Sequence, residues 1–94
     1  MEPTTADFVL PAELTIYEAA ALKPGLVAPG PVMRDRVLDA SAVERVDLAG
    51  LQVLLLAQRE CAAAGHALVL KHPSAALSEV LALLGLGAFF TLES

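Results

Sequence analysis

Ninety-four residues, 56% hydrophobic but only 4% aromatic and without tryptophan, describe one small domain with an aliphatic core of Leu, Val and Ala. A net charge of −5, with six scattered Lys/Arg residues of which only Arg34 and Arg36 lie close together, excludes nucleic acid and anionic membranes as primary partners. The single cysteine, Cys61, excludes an internal disulfide framework and matches a reducing cytoplasm.

Residues 1–6 read as a loose end, and the opening MEPTTADFVLP has neither the basic region nor the apolar run of a signal peptide. Phe8-Val9-Leu10-Pro11 is a short strand candidate, and Glu13-Leu14-Thr15 continues the sheet or leads into a helix. Thr15 then caps a predicted helix over 16–22, with Glu18 completing a capping box. Lys23-Pro24-Gly25 ends that helix and Pro29-Gly30-Pro31 marks a loop. Residues 33–39 (MRDRVLD) predict a strand with a polar entry, and residues 41–45 a turn. Asp47 is the expected N-cap of a long helix over 48–64, stopped by Gly65. The run ALVLK over 67–71 has the unbroken apolar character of a strand buried on both faces. Ser74 caps a further helix over 75–84, terminated by Gly85 and Gly87, and Phe89-Phe90-Thr91-Leu92 forms a last strand or short helix. Strands alternating with helices give an α/β fold with parallel pairing. The longest charge-free stretches, 48–58 and 80–92, fall short of the ~20 residues a membrane span needs.

At ~100° per residue, Gly50, Leu51, Leu54, Ala57 and Cys61 share one side of the long helix, and Leu48, Gln52, Leu56, Arg59 and Ala63 share the other. The first set is expected on the sheet, where Ala57 and Cys61 allow close approach. The second set is expected outward. Two leucines beside Gln52 and Arg59 make either a face partly covered by neighbouring loops or a protein-docking face with apolar anchors and a polar fringe.

The pieces LPAELTIYEAAALK (10–23), VLDASAVERVDLAGLQVLL (37–55), ALVLK after Gly65 and SAALSEVLALLGL (74–86) together resemble the STAS domain family, which includes anti-sigma-factor antagonists and sulfate-transporter C-terminal domains. The resemblance implies a small mixed β-sheet covered mainly on one side by helices, in one domain over 1–94. In that family Asp39 ends a strand, Asp47 precedes a phosphorylatable Ser or Thr, and Gly50 follows it. Here Leu48 holds the acceptor position, so the resemblance implies docking without that switch. A phosphate there would add about two negative charges beside the docking face. Ser41, in the preceding turn, is the one candidate substitute phosphosite, against the plainer role of capping its own turn.

The other chemistry is thin. His66 and His72 have no ligands at metal spacing, Cys61 sits on the packing face, and no phosphate-cradling loop with its Lys is present, so neither metal nor cofactor is expected. Asp39 and Asp47 suit turn bonding and capping better than acid–base work. The expectation is a non-enzymatic cytoplasmic module that docks a protein partner through Leu48, Gln52, Leu56 and Arg59. The partners the family offers are anti-sigma-factor or histidine-kinase-type signalling proteins, chemotaxis components, or the ATPase of a phospholipid ABC transporter. Nucleotide or lipid binding and a homodimer remain open at this level. Neither nucleic acid nor membrane insertion is expected.

Overall fold

The computed structural model describes residues 6–16, 18, 21, 26 and 32–93. The strands are β1 (Phe8–Val9), β2 (Glu13–Leu14), β3 (Arg36–Asp39), β4 (Arg45–Val46), β5 (Leu68–Lys71) and β6 (Thr91–Glu93). The helices are α1 (Leu48–Ala63), between β4 and β5, and α2 (Ala75–Leu83), after β5; a 3-10 turn (Gly87–Phe89) leads into β6. Of the helix expected over 16–22, Ile16, Glu18 and Ala21 are helical; the rest of it, and the loops at 23–25 and 29–31, lie outside the described residues.

Four strands pair in the order β1-β3-β5-β6, and β2 pairs with β4 beside them; the described pairings are all parallel. This is the expected α/β architecture. The turn read over 41–45 is shorter than expected. Its last residue, Arg45, already lies in β4, opposite Glu13 of β2. A two-residue strand shows no alternation in the sequence, and only its distant partner defines it.

Alternation along β3 and β5 sends Leu38, Leu68 and Leu70 into one core with Leu51, Leu54, Ala57 and Cys61 of α1 and Leu77 and Leu81 of α2. Each such leucine contributes roughly 1.5–3 kcal/mol by leaving water. Val69, on the opposite face of β5, is buried too, as the unbroken run ALVLK predicted.

The helix ends follow their cap residues. Asp47 Oδ1 accepts from Gly50 N at 3.0 Å, and Ser74 Oγ accepts from Leu77 N at 3.1 Å. Both helices close through a left-handed glycine: Gly65 (φ +80°) and Gly85 (φ +69°). The next residues, His66 and Leu86, donate back to the carbonyls of Cys61 and Leu81, which satisfies last-turn acceptors in the Schellman manner.

Candidate functional site

The junction between β4 and α1 organises the site. Besides capping α1, Asp47 places its second oxygen, Oδ2, 2.9 Å from Ile16 N, at the first turn of the preceding helical segment. One carboxylate therefore serves two helix starts. Hydrogen bonds from the Gly50 N–H, then from the Ile16 N–H, hold its carboxyl below the ordinary carboxylate range. The capping bond expected of the Thr15 side chain is absent among the described residues, which do not include Tyr17. Glu18 N donates to the Thr15 carbonyl, while Thr15 Oγ1 is buried without a partner among the described residues.

Gly50 sits where α1 crosses β2. A Cβ built there would lie 2.0 Å from the Leu14 carbonyl oxygen, so any side chain forces the helix off the strand. The residue that read as a motif position is a steric requirement.

The inward set of α1 is buried as expected: Gly50, Leu51, Leu54, Ala57 and Cys61, joined by Val53. Burial raises the Cys61 thiol pKa, which keeps it a neutral packing group. On the outward side Leu48 is 67% exposed and Leu56 38%, and Gln52, Arg59 and Ala63 are exposed with them. An open groove of about 520 Å³ runs beside this face, lined by Gln52, Leu55, Leu56 and Arg59 of α1 and by Leu86 and Phe89 after α2. Leu86 and Phe89 were not read as part of the face. The run GLGAFF is apolar enough to suggest it, but only the chain's return past α1 brings it there.

Asp39 ends β3, and its Oδ1 accepts from Ser41 Oγ at 2.7 Å and Ser41 N at 2.9 Å. The Ser41 hydroxyl bond, then its N–H, lowers the Asp39 pKa. Ser41 itself is exposed in the turn between β3 and β4.

A second concavity, of about 560 Å³, lies on the other side of Asp47, where β2 and β4 meet α2. Its rim carries Glu13, Glu44, Arg45 and Glu79; Val46, Ala76 and Val80 supply apolar wall, and Thr15 contributes too. No sequence signal marks this cavity, because its residues come from separate segments. Among the described residues no three His, Cys, Asp or Glu side chains converge as a metal site, and no helix is long and apolar enough to cross a membrane.

Residues 4–93 match the family model described as Mlab, STAS domain. The chain belongs to the STAS domain family. No curated protein sequence matches it. The match spans nearly the whole chain, including both helices and the Asp47–Gly50 junction, and it places this STAS domain among anti-sigma-factor-antagonist-like and related protein-interaction modules.

Proposed function

We propose that this STAS domain is a non-catalytic docking module that holds a cytoplasmic protein partner on the outward face of α1. Leu48 and Leu56 are the apolar anchors, and Gln52 and Arg59 supply the polar fringe. The observation that carries the reading is the exposure of those leucines on a helix whose other side is sealed. Leu56 lines the groove with Leu55, Leu86 and Phe89, and such a grouping of open apolar side chains is the usual mark of an interaction surface; Leu48 stands at one end of the same helix face.

Leu48 has no hydroxyl, so docking is not turned off by phosphate at this position, and the module binds constitutively or answers to another signal. Ser41, exposed in the turn, is the substitute acceptor if one exists. Its hydroxyl already donates to Asp39, which favours the structural role.

The test is affinity capture of partners from the native cells with wild-type protein, Leu48→Asp and Leu56→Asp, each shown to be folded by circular dichroism. A specific partner held by wild type and lost by both variants is the expected outcome; equal capture by all three removes the docking face. Intact mass of protein from the same cells is expected to show no phosphate adduct.

A second reading, the STAS subunit of a phospholipid ABC transporter bound to its ATPase, draws support from the match to the family model described as Mlab, STAS domain; the likeness of LPAELTIYEAA and DLAGLQ is to short transporter-associated and chemotaxis-associated members alike. It predicts co-purification with an ATPase and uses the same face. Nucleotide or lipid binding predicts a thermal shift with such ligands.

A further inference from the structure

We infer that the groove between α1 and the turn after α2 receives an amphipathic helix of the docked partner, with a carboxylate of that helix seated on Arg59. The inference rests on the docking reading above and names the partner's chemistry.

The groove follows α1 from Gln52 to Arg59, a span of about 10 Å, or two helical turns. Leu55 and Leu56 form its wall on α1, and Leu86 and Phe89 form the wall supplied by the returning chain. Phe89 is 54% exposed, so the second wall holds apolar surface in water as the first does. A slot of that length with apolar sides matches the stripe of a short helix, whose anchors recur at i, i+3 or i+4, and i+7.

The backbone decides between a helix and an extended segment. No strand lines the groove, so it has no ladder edge to offer. The residues on α1 lie inside a helix, where N–H and C=O groups bond one another. On the other wall Leu86 N donates to the Leu81 carbonyl and Phe89 N to the Leu86 carbonyl. An extended segment pressed here buries backbone groups that find no partner, whereas a helix arrives with its own bonds made.

The charge of the occupant follows from Arg59. On a chain of net charge −5, it is the one charged side chain lining the groove. It is exposed and joins no ion pair among the described residues; Glu60, the next residue, lies off the groove. A free guanidinium at the end of an apolar slot is matched by a carboxylate, which it holds through two parallel N–H donors. Such a pair at the rim sets the direction and register of the bound helix more than its affinity.

The test pans a displayed library of random 16-residue peptides against the full chain, with Phe89→Asp protein as the depleting bait. Enriched peptides are expected to carry apolar residues at helical spacing and an Asp or Glu beside them. For the leading peptide, measured by fluorescence anisotropy, Phe89→Asp is expected to abolish binding and Arg59→Glu to weaken it about tenfold. Replacing the peptide's acidic residue with lysine is expected to restore binding to Arg59→Glu. Each variant is first shown to be folded by circular dichroism. No enrichment, alternating apolar spacing, or absence of the charge-swap rescue overturns the proposal. Self-association of the chain that Phe89→Asp abolishes assigns the groove to a second copy and overturns it too. If Leu48→Asp and Leu56→Asp lose the native partner while Phe89→Asp and Arg59→Glu keep it, the docking face stands and the groove's role falls. If Leu48→Asp and Leu56→Asp keep the native partner, the docking reading falls and takes with it the assignment of this helix to that partner.

Discussion

Leu54 and Leu56 lie two residues apart on α1, one with no exposed surface and the other 38% open to solvent. The inner side of the helix presses so closely on β2 that Gly50 has no room for a methyl group. The outer side keeps apolar surface in water although polar residues would be more soluble there. Stability explains the first side and says nothing for the second. A lone surface leucine is ordinary on a folded monomer; it is the grouping of Leu56 with Leu55, Leu86 and Phe89 along one groove that points to a partner.

Substitutions on the two sides break that comparison if they behave alike. Leu54→Ala leaves a cavity in the core, and urea denaturation is expected to show a loss of about 2–5 kcal/mol. Gly50→Ala is expected to cost about 1–3 kcal/mol, towards the upper end because the atom it meets is backbone; a variant as stable as wild type shows that α1 lifts from β2 freely. Asp47→Asn sharpens the picture at the boundary between the sides. A carboxyl whose folded pKa is depressed stabilises the fold while ionised. That contribution is full above the unfolded value of about 3.9 and is lost as pH falls through the lower folded value. Melting temperatures of wild type are therefore expected to drop on acidification below the ordinary carboxylate range, and those of Asp47→Asn to drop less steeply. Leu56→Asp, on the open side, is expected to cost about 1–2 kcal/mol, less than Leu54→Ala, while losing the partner.

The parts of this molecule legible in its sequence are those governed by neighbours in the chain. Asp47 and Ser74 announce helix starts, Gly65 and Gly85 announce ends, and the spacing of Leu51, Leu54, Ala57 and Cys61 announces the buried stripe. What escaped depends on residues far apart. Arg45-Val46 is a strand only because Glu13-Leu14 lies beside it. Asp47 reaches Ile16 across a long separation, a bond that no local pattern announces. The groove needed Phe89 to return to α1, and the acidic cavity needed α2 against β4. Patterning reports which face is apolar; it does not report what a second segment adds to that face.

The parallel ladders carry a consequence for how the chain reaches this form. Phe8 pairs with Leu38, Arg36 with Leu68, and Val69 with Thr91, and no described pairing is a hairpin. Each ladder must close a long loop before its hydrogen bonds repay the entropy, so high contact order governs the rate. Refolding is expected to be slower than that of a helical bundle of equal length. Among the described elements, α1 and α2 can begin to form before distant segments meet.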